Sequence, residues 1–323
     1  MSENYIPEMT TIAKDNINFS QTNLISGAAV APDCGWTIAG MVAQTAGLPL
    51  KVYRGGACDM DQYNTFMPTI ITLGDILEDE GYHNVFMAGS DFNFSGRRHY
   101  CVTHGNYEIL DLFTAREKGV VPENYYVWWG FEDHILYEWA KEELVSLASE
   151  GQPFNFTMLT ADTHAQDGYL CSFCESKYED QYANVWRCAS RQLGDFITWI
   201  QSQDFYEDTV IVITGDHYSM DLDFYPNGEV DYNAYNDGRG VYNAFINVDA
   251  STEYSTGRKF TTLDFFPTTL AALGIKIEGE RLGLGANLFS GEETLSEKYG
   301  YDYFFTELHK RSPYYNKHFM YAK

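Results

Sequence analysis

Thr209-Val210-Ile211-Val212-Ile213-Thr214, followed by Gly215-Asp216-His217, is the stretch on which the reading of this chain turns. A run of β-branched apolar residues with no polar alternation reads as a strand buried on both faces, the kind found in parallel sheets covered by helices. In such sheets ligands collect beyond the carboxyl ends of the strands. A carboxylate and an imidazole just past a turn-permitting glycine form a donor pair that suits Zn²⁺ or Mn²⁺ better than Ca²⁺. Two further segments end in the same way. Pro153-Phe154-Asn155-Phe156-Thr157-Met158-Leu159-Thr160 runs into Ala161-Asp162-Thr163-His164, and Asn84-Val85-Phe86-Met87-Ala88 runs into Gly89-Ser90-Asp91. In a parallel sheet the three endings converge on one rim, each delivering a carboxylate and two of them a histidine.

Around these strands the pattern alternates. Helices are expected over 6–15, 37–46, 73–80, 131–150 and 183–203, with a short strand near 17–20. This alternation is the signature of an α/β layer fold, here a mostly parallel central sheet between helices. The segment 262–274 reads as a helix closed by Gly274, and the tail from Glu293 is polar and aromatic. The expected organisation is a main domain over residues 1–260 and a C-terminal subdomain over 261–323 packed on it.

The composition narrows the partners. A chain of 323 residues can bury a large core. A formal net charge of −25 argues against nucleic-acid binding and against adhesion to an anionic membrane surface. An anionic substrate would therefore need a locally positive pocket, which a metal ion and one or two arginines could supply. No apolar run is long enough to span a bilayer, and no signal peptide precedes Ser2. Of the six cysteines, Cys171, Cys174 and Cys188 cluster in a polar, Tyr-rich insertion. They lack the repeated Cys-x-x-Cys of a structural zinc site. The expectation is an extracytoplasmic protein in which Cys188 pairs with Cys171 or Cys174, while Cys34, Cys58 and Cys101 have no partner the sequence can name.

Gly35-Trp36-Thr37-Ile38-Ala39-Gly40 precedes an apolar helix, with Thr37 at its start. Threonine there serves as a helix N-cap without any chemistry. The same position also suits a nucleophile, because helix N-termini attract phosphate and a divalent ion can lower a hydroxyl's pKa enough for attack. The stretch 35–50, Gly-Trp-Thr-Ile-Ala-Gly-Met-Val-Ala-Gln-Thr-Ala-Gly-Leu-Pro-Leu, resembles the nucleophile segment of the phosphoglycerol transferases. These act on membrane-derived oligosaccharides and are related to the lipoteichoic acid synthases of the sulfatase and alkaline phosphatase superfamily. Similar matches follow in the same order: Leu73-Gly74-Asp75-Ile76-Leu77 with Glu80-Gly81-Tyr82, Gly89 to Arg97 with His104-Gly105, Asp162-Thr163-His164 with Asp167-Gly168, Asp216-His217, and Leu282 to Phe289.

The resemblance implies a sulfatase-like fold and metal-dependent transfer of phosphoglycerol from phosphatidylglycerol to a glycan or glycerol-polymer hydroxyl, through a glycerophospho-threonine. Thr37 would be the nucleophile and a metal ligand, with Asp216 and His217 as further ligands of one ion. Mn²⁺ is the expected metal, with Zn²⁺ and Mg²⁺ as alternatives. Asp91, Arg97 and His164 would contact the phosphoglycerol group, Arg97 through bidentate donors. The family's acidic ligand at the end of its first strand has no counterpart here, and Glu3 is not assigned to it. The chain is therefore expected to lack that strand, that ligand and an N-terminal membrane anchor that would hold it on the outer face of a bacterial cell membrane. Alternatives are a phosphoethanolamine transferase, a phosphodiesterase of the same superfamily, or an inactive glycan-binding module. A sulfatase fits poorly, since Cys34-Gly35-Trp36-Thr37-Ile38 lacks the Pro and Arg of Cys/Ser-x-Pro-x-Arg.

Overall fold

The computed structural model describes residues 3–52, 60, 65–221, 223–224 and 239–321; Cys58 lies outside them. Pro7 opens the first helix, α1 (Pro7–Asp15), where its fixed φ and missing N–H carry no penalty. The apolar helix α2 (Thr37–Ala46) closes on Gly47 in the left-handed conformation. A Thr72–Asp75 capping box starts α3 (Leu73–Asp79). Then follow β1 (His83–Ala88), α4 (Arg97–Thr103), β2 (Glu108–Leu110) and α5 (Leu112–Glu117), the last capped by the Asp111 carboxylate on the N–H groups of Phe113 and Thr114. The long helices α6 (Asp133–Glu150) and α7 (Gln181–Gln201) flank β3 (Phe154–Leu159). The chain continues through β4 (Ile211–Thr214), β5 (Asn243–Ile246), α8 (Phe265–Ala272), α9 (Leu295–Tyr299) and α10 (Tyr301–His309).

The parallel sheet runs β2-β1-β3, with Val85 opposite Glu108 and Phe156. Its central strand shows the burial that covered parallel sheets require. Phe86 and Ala88 pack with Ile38 and Val42 of α2, whereas Val85 and Met87 pack with Leu136 and Trp139 of α6 and Phe196 and Ile200 of α7. Alternate side chains thus enter two cores on opposite faces.

The segment that opened the reading behaves differently. β4 pairs antiparallel with β5, Ile211 opposite Ile246 and Thr214 opposite Asn243. Every residue of β3 and β4 is half-buried, not fully buried. Among the described residues β3 is bonded only to β1 and β4 only to β5, so each keeps one unpaired edge. A β-branched run specifies a strand but not the neighbour on each side. The strand expected near 17–20 is reduced to one bridge, Ile17 to Phe245. The Asn243 side chain explains this, accepting from Phe19 N (2.8 Å) and donating to Phe19 O (2.9 Å) where a ladder would otherwise continue.

Residues from 261 onward pack back on the first part of the chain. Ala29 bridges Thr261, and Leu263, Tyr301, Phe304 and Leu308 share a core with Ala29, Cys34 and Ala43. The cysteine insertion holds no disulfide. Cys171 Sγ lies 3.6 Å from Cys174 Sγ and 3.9 Å from Cys188 Sγ, beyond the ~2.05 Å of an S–S bond.

Candidate active site

Thr37 is the first residue of α2 and half-buried; the N-cap is Trp36, in extended conformation and with no side-chain cap bond. The expectation that Thr37 is the cap is thereby corrected. Among the described residues no side chain caps the first-turn N–H groups, the Thr37 hydroxyl included, and no acidic residue occupies that turn. Such an end favours an anion.

Packing carries this end of α2 to the loop after β4. Gly40 lies so close to Asp216 that a Cβ would sit 2.4 Å from the Asp216 carbonyl oxygen. Gln44 completes the clamp, donating to Gly215 O (2.8 Å) and Asp216 O (3.3 Å) while accepting from Thr214 Oγ1 (2.6 Å). Gln44 was not singled out in the sequence; a lone amide in the apolar run Thr37–Ala46 was the available signal.

The Asp216-His217 pair has the local geometry of two donors facing one point. Asp216 Oδ1 accepts from His217 N at 2.9 Å, and Asp216 Oδ2 lies 3.4 Å from His217 Nε2. His217 Nδ1 is 2.7 Å from Tyr218 O. A carbonyl oxygen only accepts, so Nδ1 carries the proton and Nε2 is the nitrogen turned toward the carboxylate. A backbone-anchored Nδ1 is the usual support for an Nε2 that ligates metal. The Asp216 carboxylate and the His217 imidazole fit a divalent ion of the Mn²⁺ or Zn²⁺ class. Among the described residues no third His, Cys, Asp or Glu joins Asp216 and His217 with ligand atoms all within 4.8 Å of one another.

The loops after β1 and β3 supply the other side. Arg97 is buried (6% exposed), its Nε donating to Phe94 O (3.1 Å) and its Nη2 to Asp91 O (2.6 Å). Burial draws its pKa down, opposed by the negative charges of Asp91, Asp216 and Asp111. Asp216 therefore acts on the Arg97 guanidinium from the neighbouring loop. Asp91 spends Oδ1 on Asn93, accepting from its N (2.9 Å) and Nδ2 (2.8 Å), so it shapes the turn that carries Arg97. His164 Nδ1 is 2.6 Å from Ala165 O, which again leaves Nε2 as the nitrogen free of that bond. The His164 ring lies 4.7 Å from Trp129, which lies 5.5 Å from Phe94, and Phe94 lies under the Arg97 guanidinium at 5.7 Å. Trp129 thus joins His164 to Arg97. It was missed in the sequence, although the Trp128-Trp129-Gly130 turn carries a signal: Gly130 (φ 158°) passes within a Cβ's reach of Gly89 O. Tyr182 ties the loops together, donating to Thr163 O (2.8 Å) and meeting Ser219 Oγ (2.8 Å).

One expected carboxylate turns away. Asp162 is 3% exposed and its Oδ2 accepts from Asp133 N (3.3 Å), while the Asp133 carboxylate accepts from Ala161 N (2.7 Å) and Asp162 N (2.9 Å). Burial raises both pKa values, and the neighbouring Asp133 charge raises that of Asp162 further. The β3 ending therefore brings one histidine to the site and uses its acid to fix the start of α6. Cys34, three residues before Thr37, is fully buried and its thiol is pushed up by burial, so it is no candidate for a sulfatase-type nucleophile.

Residues 5–275 match the Sulfatase family. The chain is similar to phosphoglycerol transferase I of Xanthomonas campestris pv. campestris (strain B100), 30% identical over 295 residues that cover 89% of this chain and 40% of that protein. It thus spans about two fifths of that relative's length. In fold it resembles the lipoteichoic acid synthase LtaP from Listeria monocytogenes (TM-score 0.68, 17% identity, 88% of this chain and 69% of the other). It also resembles the Streptococcus pyogenes phosphoglycerol transferase GacH, solved with sn-glycerol-1-phosphate (TM-score 0.55, 13% identity, 86% and 70%).

Proposed function

Because the chain belongs to the sulfatase family, we propose that it is the catalytic part of a phosphoglycerol transferase, with phosphatidylglycerol as donor and a glycan or glycerol-polymer hydroxyl as acceptor. Residues 1–260 form the catalytic domain in this reading, and 261–323 a subdomain packed on it. The observation that carries it is the contact of the Thr37 helix with the Asp216-His217 loop through Gly40. The kinship with phosphoglycerol transferase I supports the choice of substrate.

Thr37, Asp216 and His217 would hold one divalent ion, Mn²⁺ first and Zn²⁺ or Mg²⁺ as alternatives, which would lower the hydroxyl's pKa and offset phosphoryl charge. The Thr37 oxygen attacks phosphorus and loses its proton to water. The bond from phosphorus to the diacylglycerol oxygen breaks, and that oxygen takes a proton from His164 acting as the general acid. Arg97 and the uncapped first turn of α2 offset charge on the phosphoryl oxygens. The acceptor hydroxyl then attacks the glycerophospho-threonine and gives its proton back to His164, while the bond from phosphorus to the Thr37 oxygen breaks and that oxygen regains its proton from water. Asp91 acts by shaping the Arg97 turn. The reading sets the work on the outer face of a bacterial membrane; among the described residues no helix is long and apolar enough to cross one.

The test is release of chromophore from a chromogenic phosphoglycerol lipid analogue with Mn²⁺, read beside the intact mass of the protein. Turnover and a glycerophosphate adduct that both vanish in Thr37→Ala are the expected result. Glycan binding with neither turnover nor adduct would overturn it in favour of a binding module, which exposed Trp128 and the lack of a third acidic ligand among the described residues would then explain.

A further inference from the structure

The three sulfurs of the insertion are neither bonded nor dispersed. Cys171 and Cys174 sit on one tight turn, closed by Cys174 N donating to Cys171 O (3.0 Å), and Cys188 comes from the second turn of α7. The spacings are 3.6 and 3.9 Å, and all three sulfurs lie within 4.8 Å of one another. A tetrahedral ion with metal–sulfur bonds of about 2.3 Å has an S···S edge of roughly 3.8 Å. Two bonded cysteines would instead leave one sulfur pair near 2 Å.

The surroundings suit negative sulfur. Gln192 Nε2 donates to Cys188 Sγ (3.3 Å) and Cys171 Sγ (3.8 Å), the outer-shell support that thiolate ligands receive. Cys171 and Cys188 are buried and Cys174 is half-buried, so an ion has an entry path on one side.

We propose that Cys171, Cys174 and Cys188 form a second metal site, for one thiophilic tetrahedral cation of the Zn²⁺ class with water in the fourth position. This goes beyond the proposed phosphoglycerol chemistry and is independent of it. The site pins the loop between β3 and α7, whose first residues include His164. Other anchors on that loop are Tyr169 N to Asp162 O (2.7 Å), Asp167 N to Asp221 Oδ2 (2.6 Å), and Phe173 against His134 at 4.6 Å. Binding replaces the thiol protons with one cation, and no electron transfer is involved.

The test loads the full chain, purified with reductant and in a Cys58→Ser background, with one equivalent of Co²⁺. A thiolate-to-cobalt charge-transfer band is expected. It should persist in Thr37→Ala and Asp216→Asn, because that cluster has no sulfur, and vanish in Cys174→Ser and Cys188→Ser. Zn²⁺ at a hundredfold excess over its Kd should slow alkylation of Cys174 on the order of a hundredfold. The unsubstituted chain decides the matter even if a serine variant misfolds. A missing band with unchanged alkylation overturns the proposal. So does a chain that, without reductant but with Zn²⁺ present, is two hydrogens lighter and yields a cross-linked Cys188 peptide.

Discussion

Gly40→Ala tests whether the Thr37 helix and the Asp216 loop form one unit. The change adds a single methyl inside α2, and by helix propensity alone it stabilises by about 1 kcal/mol. The new Cβ would lie 2.4 Å from Asp216 O, 3.1 Å from its carbonyl carbon and 3.5 Å from its Cα. Ordinary contact begins near 3.4 Å, so helix and loop must part by roughly 1 Å, and both partners are backbone. Overpacking of this kind costs about 1–3 kcal/mol, which leaves a net loss of roughly 0–2 kcal/mol. The functional effect is larger. A 1 Å misplacement of reacting groups costs on the order of 10²-fold in rate. Gly35→Ala is the control, since its Cβ would meet only Val30 Cγ1, at 3.9 Å. The assay is kcat/KM on the phosphoglycerol analogue at saturating Mn²⁺, with Tm measured alongside. Gly40→Ala should fall about a hundredfold and Gly35→Ala less than about threefold. A Gly40→Ala protein that gains Tm and keeps its activity would refute the coupling of Thr37 to Asp216 and His217.

Trp129→Ala removes the ring between His164 and Phe94; kcat/KM should drop on the order of 10–100-fold with Tm nearly unchanged, and an unaltered kcat/KM would remove Trp129 from the site. Asp111 is fully buried, caps α5 and pairs with Arg98 at 2.7 Å. Asp111→Ala should therefore cost roughly 3 kcal/mol in urea unfolding, while a loss below about 1 kcal/mol would mean that half-exposed Arg98 and the freed N–H groups rehydrate without penalty. Asp264 is buried and, despite accepting from Thr261 N and Ala286 N, has its pKa raised by burial to about 6. A raised folded pKa means that the unfolded chain releases this proton first. Its contribution is full below the ordinary carboxylate range and falls by roughly 2 kcal/mol as pH rises from about 4 to 6. Unfolding free energy compared at pH 4 and 6 should show that fall in the parent chain and not in Asp264→Asn, whatever the absolute cost of the amide; parallel pH slopes would contradict the assignment.

Much of the architecture was legible because its causes are local. Pro7 at a helix start, Gly47 and Gly81 at helix ends, and the uninterrupted apolar run of β1 act over a few residues, and these elements formed within three positions of expectation. The Asp216-His217 donor geometry is local too, since His217 is oriented by the carbonyl of the next residue. The tertiary structure decided what depends on contacts between distant segments. A β-branched run announced β4 but not its antiparallel partner β5 or its half-exposed face. Asp162 and Asp216 both follow strands, yet the first is drawn to Asp133 at the head of α6 and the second meets Gly40 of α2. Trp129 meets His164, and Cys188 meets Cys171 and Cys174, only once the loops are packed. Propensity and turn chemistry are short-range and written residue by residue. Which side chain fills a given space is settled by the shape of everything around it, and that shape exists only in the folded chain.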